Sequence, residues 1–205
     1  MKENQSTEEA ILKAAEKEFM EKGFEGARTM KIARNAGVTH SMLHYYFRTK
    51  EQLFDQIMKD KFALIVESVL KIIGDESLPL LERIRAGMSD HFDFLVRNPE
   101  LPRFMINEVL NNPDVNAAFQ NQLSTNGRGI IHDLQAIIDK AAERGEIERV
   151  DARSLGLDII SLNLVSTLAF PMMRHLLGFP AMSEQEFLER RKQENIETIL
   201  KRLRR

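Results

Sequence analysis

The sequence predicts an all-α protein of about nine helices, a three-helix N-terminal unit with a helix-turn-helix followed by a larger helical unit. Three observations predict it. Apolar residues recur at helical spacing along the whole chain, and no segment sustains the period-two alternation of a strand. Leu, Ile, Ala, Glu and Lys are abundant, with two Tyr and no Trp among 205 residues. Glycine, proline and small hydroxyl or acidic residues fall where the periodicity breaks, as helix ends require.

Taken in order, Ser6 or Thr7 is placed to cap a first helix whose apolar face runs through Ile11, Ala14, Ala15 and Phe19, and Gly23 is placed to stop it. Thr29 is the expected cap of a short second helix to Ala36, ended by Gly37. Thr39 is the expected cap of a short third helix carrying Leu43 and Phe47. A fourth runs from Lys50 to Ile73, a fifth from Pro79 to Arg97, a sixth from Pro99 to Asn111 and a seventh from Pro113 to Glu143. Asp151 caps an eighth to Leu177, which Pro171 should kink, and Ser183 caps a ninth, Glu184 to Arg204. The tight helices give way to long ones near residue 50, so the expected domains are 1–49 and 50–205.

Composition excludes several functions. Without cysteine there is no disulfide, thiolate metal site or cysteine nucleophile. His40 and His44 stand four apart but lack a third ligand nearby, and His91, His132 and His175 are scattered, so neither a metal centre nor a catalytic cluster is expected and no cofactor is implied. The N-terminus MKENQSTEEA has no apolar secretory core, and the uncharged run 159–173 is shorter than the ~20 residues of a membrane span. The expectation is a non-enzymatic, soluble, cytoplasmic protein with no membrane partner.

Charge is informative through its placement. The protein carries a formal −2, yet residues 27–50 contain Arg28, Lys31, Arg34, Arg48 and Lys50 and no acid. Two short helices meeting at a Gly-containing turn form a helix-turn-helix. Val38 and Leu43 should bury, leaving Thr39, His40, Ser41, Met42, His44, Tyr45 and Tyr46 outward. A surface that approaches phosphates excludes carboxylates, because each would repel the duplex. Thr29 at a helix N-terminus and Lys50 at the start of the fourth helix are placed for phosphates, the third helix for base edges in the major groove.

The run TMKIARNAGVTHSMLHYYFRTKEQLF (29–54) resembles the signature of TetR-type transcriptional regulators: Thr, Ile-Ala, Ala-Gly-Val, a Leu followed by aromatics and Phe, then Lys-Glu and Leu. The resemblance implies a homodimer in which the last two helices of each subunit form a four-helix bundle. It implies two recognition helices on a roughly palindromic operator, and a C-terminal pocket whose ligand weakens DNA binding. Carried onto this chain, the contact positions are Thr29, Thr39, His40, Ser41, Met42, His44, Tyr45, Tyr46 and Lys50. His40, Ser41 and His44 depart from the usual Lys, Gly and Tyr, which leaves the operator sequence open. A repressor and an activator of this family would use the same unit.

For the second unit, the eighth helix is apolar on nearly every side and needs neighbours all round. Leu162 and Val165 on it, with the stripe Ile196, Ile199, Leu200 and Leu203 on the ninth, are the expected dimer contacts. In the helices where the resemblance implies a pocket, the candidate ligand residues are Phe62, Met88, His91, Phe92, Phe104, Met105, Phe170, Met172 and Met173. Aromatic and adaptable Met side chains with few charges imply an apolar or amphipathic small-molecule effector.

Overall fold

Left-handed glycines set two corners of the N-terminal region. Gly23 takes φ 69° and interrupts the first helix where the sequence places its stop. Gly37 takes φ 72° between the second and third helices. A Cβ added at Gly37 would meet nothing within 4 Å, so the demand there is conformational and not steric. The computed structural model describes residues 2–74, 77–111, 128–168 and 182–204, with 113, 116, 117, 120 and 176.

The described residues form nine helices: α1 (Lys2–Gly26), α2 (Thr29–Asn35), α3 (His40–Tyr46), α4 (Lys50–Gly74), α5 (Leu80–Arg97), α6 (Glu100–Asn111), α7 (Arg128–Glu143), α8 (Ala152–Leu168) and α9 (Glu184–Leu203). The all-α expectation therefore holds. Two details differ. α1 begins at Lys2, a turn before Ser6, so neither Ser6 nor Thr7 caps it. Arg28, not Thr29, is the N-cap of α2, and its side chain makes no capping bond. The predicted kink at Pro171 lies outside the described residues, as does much of 112–127.

Other helix starts follow the sequence. Thr39 Oγ1 accepts from the Met42 amide at 3.1 Å, and Asp151 accepts from the Ser154 amide at 2.9 Å. That bond holds the Asp151 carboxyl below its ordinary pKa. Ser183 and Glu186 form a reciprocal capping box, with bonds of 2.8 and 3.2 Å between each side chain and the other's amide.

Contacts divide the chain into two bodies, residues 1–64 with 104–120, and residues 65–103 with 121–205. Residue 49, the expected boundary, falls inside the first, because Leu53, Phe54 and Ile57 of α4 join Ile11, Ala15 and Phe19 of α1 in one core. Ile32 and Ala33 of α2, Leu43 of α3 and Phe104 of α6 complete it.

The core of the second body takes Ile84 and Met88 of α5, Leu134 and Ile138 of α7, Leu155 of α8, and Ile196, Ile199, Leu200 and Leu203 of α9. This corrects the dimer assignment of the last four. Each is at most 2% exposed within the single chain, so no surface of theirs is left for a partner. The stripe meets α5 and α8 of its own protomer, a cover that the charged remainder of α9 gave no means of distinguishing from a partner's.

α8 is the unusual element. Its inward positions include Asn163 (1% exposed) and Ser166 (9%), while Leu157 (65%), Ile160 (49%) and Val165 (58%) face out. The buried polar groups satisfy one another. Asn195 Nδ2 of α9 donates to Asn163 Oδ1 (3.1 Å) and Ser166 Oγ (3.2 Å), and Arg191 donates to Asn195 Oδ1 (2.8 Å). Asn163 Nδ2 donates to the Met88 carbonyl and to His91 Nδ1, both at 3.1 Å, tying α5 into the network.

Accepting from Asn163 requires a neutral His91 Nδ1, and burial holds this imidazole at a pKa of about 4, below its ordinary 6.5. Below the ordinary value the unfolded chain binds the proton first, so stability is full above pH 6.5 and is lost as pH falls towards 4. Between pH 7 and 5 the wild type should lose about 2 kcal/mol more than His91→Gln in urea unfolding. Equal losses would show that His91 does not titrate this way.

Candidate nucleic-acid interface

The α2–α3 corner is built by burying one side of each helix. Ile32 and Ala33 anchor α2, Leu43 anchors α3, and Val38 and Ala36 pack partly against the same core. With that side fixed, the remaining α3 positions must point outward. Thr39, His40, Ser41, Met42, His44 and Tyr45 are all exposed, Tyr45 to 78%, while Tyr46 is partly packed and sits edge-on to Tyr45 at 5.5 Å. The structure thus brings the predicted contact residues of α3 onto one open face.

Hydrogen bonds order that face. Thr29 Oγ1 at the start of α2 lies 3.1 Å from His40 Nε2 at the start of α3, so the two helix starts lie side by side. The His40 and His44 rings meet edge-to-face with centroids 4.4 Å apart, and His44 Nδ1 lies 3.2 Å from the Arg48 carbonyl oxygen. A donor proton is therefore required on His44 Nδ1, which turns its other nitrogen away from the backbone.

The basic residues are not equivalent. Arg28, Arg34 and Arg48 are exposed. Lys31 pairs at 2.6 Å with Glu18, a carboxylate almost fully buried in α1, and so holds α2 to α1. Lys50 Nζ donates to the Phe24 carbonyl at 2.8 Å and the Glu25 carbonyl at 3.4 Å, and lies 4.5 Å from the centre of the Phe24 ring. In this arrangement Lys50 closes the end of α1, and an ammonium with three N–H donors can hold both carbonyls and still donate to a phosphate. Met30, 72% exposed beside Thr29, belongs to the same region and escaped the sequence reading. Its signal was its place two residues before buried Ile32, on the opposite side of α2.

Four of the predicted ligand residues, Met88, His91, Phe92 and Phe104, have described side chains. Met88 and Phe92 are buried on α5 with His91 between them, whereas Phe104 lies in the core of the first body, its ring centre 5.7 Å from that of Phe54. Packed there, Phe104 is 5% exposed. The side chains of Phe62 and Met105, and residues Phe170, Met172 and Met173, lie outside the described residues. Among the described residues no group of three His, Cys, Asp or Glu could hold a metal, and no helix is long and apolar enough to cross a membrane.

A helix-turn-helix with an open, acid-free second helix, carried on a chain with a larger helical body, defines a DNA-binding transcriptional regulator. The family profile for bacterial regulatory proteins of the tetR family matches residues 11–57, and that of the tetracyclin repressor-like C-terminal domain matches residues 81–199. The chain belongs to the TetR family of transcriptional regulators. Among curated relatives, it is 30% identical over 139 residues to the HTH-type transcriptional repressor NicS of Pseudomonas putida, covering 68% of this chain and 65% of that one. It is 25% identical over 159 residues to the fatty acid metabolism regulator protein of Bacillus subtilis, covering 78% and 77%. Its fold matches the crystal structure of FadR from Bacillus subtilis in complex with stearoyl-CoA, with a TM-score of 0.69, 21% identity and coverage of 94% and 97%.

Proposed function

We propose that this protein is a homodimeric repressor that places α3 of each subunit in the major groove of a palindromic operator and is released by a small apolar or amphipathic effector. The carrying observation is the open face of α3. Its six exposed residues, Thr39 to Met42 with His44 and Tyr45, hold hydrogen-bonding and apolar groups and no carboxylate. Thr29 beside His40 is placed to add a backbone contact, and base edges are left to His40, Ser41, Met42 and His44.

Dimerisation is supported by the outward apolar residues of α8. Leu157, Ile160 and Val165 make an unpaired apolar stripe that a second copy of the same helix would cover, whereas Leu162 packs partly on its own core. An effector is supported by a cleft of about 550 Å³ whose apolar wall is Phe92, Leu95, Val96, Pro99 and Leu188, with Asp93, Glu184 and Glu189 also lining it. The relative concerned with fatty acid metabolism and the stearoyl-CoA held by the fold neighbour fit an effector with an apolar body.

The test is enrichment of bound duplexes from random DNA. A two-fold symmetric site is expected, with affinity falling by orders of magnitude between about 50 and 200 mM salt. Tyr45→Ala should weaken it about tenfold, the equivalent of roughly 1.4 kcal/mol. Failure of the unmodified protein to enrich any duplex would overturn the proposal.

A further inference from the structure

His44 is exposed on the outward face of α3, yet its ring is held in one orientation. Nδ1 lies 3.2 Å from the Arg48 carbonyl oxygen. That oxygen can only accept, so Nδ1 carries a proton; the flipped ring would set a carbon against it. The carbonyl is itself held in place. The chain leaves α3 at Phe47 (φ −131°, ψ 103°), and the Arg48 amide donates to Gln52 Oε1 of α4 at 3.2 Å. A second support is the His40 ring, 4.4 Å away between centres and at 88° to that of His44. His40 is tied in turn to α2, its Nε2 lying 3.1 Å from Thr29 Oγ1.

The tautomer decides what the outer edge of the ring can do. With the proton on Nδ1, Nε2 of the neutral ring has a lone pair and no hydrogen. Among the described residues no hydrogen bond engages it. Such a nitrogen has nothing to donate to a phosphate oxygen, to O6 or N7 of guanine, to N7 of adenine or to O4 of thymine. The donors that base edges present in the major groove are the exocyclic amino groups, N6 of adenine and N4 of cytosine. The tyrosine usual at this position of the family ends in a hydroxyl, which donates as well as accepts and makes no such selection.

We infer, on the reading that α3 lies in the major groove, that His44 is a specificity-determining residue whose Nε2 accepts a hydrogen bond from the amino group of one adenine or cytosine in each operator half-site.

The test uses the full chain at about pH 8, where an ordinary imidazole is neutral. Duplexes enriched from random DNA by the wild type and by His44→Phe are compared, to find the base pair whose preference depends on His44. Base analogues then isolate the contact. Purine in place of that adenine, or pyrimidin-2-one in place of that cytosine, deletes the amino group. The wild type should bind the analogue duplex about tenfold more weakly, whereas His44→Phe should bind the two duplexes alike. A 7-deazapurine in the same base pair lacks the N7 acceptor and keeps both pairing edges, and it should leave wild-type affinity unchanged. Sensitivity to the loss of N7 and not of the amino group would show the ring donating, and overturns the inference. So does an enriched site whose base preferences are identical for wild type and His44→Phe. Both results leave the operator reading standing. Enrichment of no duplex by the wild type overturns the operator reading, and the role of His44 falls with it.

Discussion

Phe19→Ala is expected to destabilise the first body by about 4 kcal/mol and to abolish operator binding with it. Phe19 is fully buried, stacks on Phe24 at 6.0 Å between ring centres and meets Phe54 edge-on at 5.2 Å. Removing it deletes an aromatic cluster and leaves a void between α1 and α4, the helices against which α2 and α3 take their angle. The rigid corner that presents α3 would then have no wall behind it. Urea unfolding of wild type and variant measures the loss. The outward Met42→Ala is the control, since an exposed substitution should change stability by no more than about 0.5 kcal/mol. A loss below about 1 kcal/mol for Phe19→Ala would show that this cluster is not what sets the corner.

The DNA-facing region was legible in the sequence because its signals are local. Gly23 and Gly37 at left-handed corners, Thr39 at a cap and Leu43 opposite His40 and Tyr45 each act within a few residues. Thr29 was misplaced by one position for the same reason: a hydroxyl before a helix looks like a cap, and only the neighbouring helix shows its oxygen turned to His40. Lys50 was read as a free cation because its carbonyl partners lie 25 and 26 residues away.

The second body was less legible because its decisive contacts are distant. Ile196, Ile199, Leu200 and Leu203 form an apolar stripe that looks the same whether a partner or α5 and α8 cover it. Phe104 was read as a pocket aromatic, and nothing in its local sequence announced its packing against Phe54, fifty residues earlier.

Asn195→Ala is expected to cost about 3 kcal/mol, since it leaves buried acceptors on Asn163 and Ser166 without donors and removes a partner of Arg191. The reason such a network sits inside an otherwise apolar core lies in α8. Helix propensity and hydrophobicity do not decide which way this helix turns, because Leu155, Leu157, Ile160, Leu162 and Val165 spread around its circumference. Rotated about its axis, α8 could bury Leu157 and Ile160 and expose Asn163 with little loss of apolar burial. Two asparagines that must meet each other remove that freedom, since the rotated helix would strand Asn195. The network therefore selects the inward face and, by the same act, the apolar face left for a second subunit. Asn163→Leu combined with Asn195→Leu should recover much of the stability lost in either single variant, because two apolar groups leave nothing unsatisfied. The double variant should nonetheless lose a unique core, seen as broadened methyl signals from α8 and a weakened dimer on sizing. Additive single losses, or a double variant with sharp signals and wild-type association, would show that the apolar residues alone orient the helix.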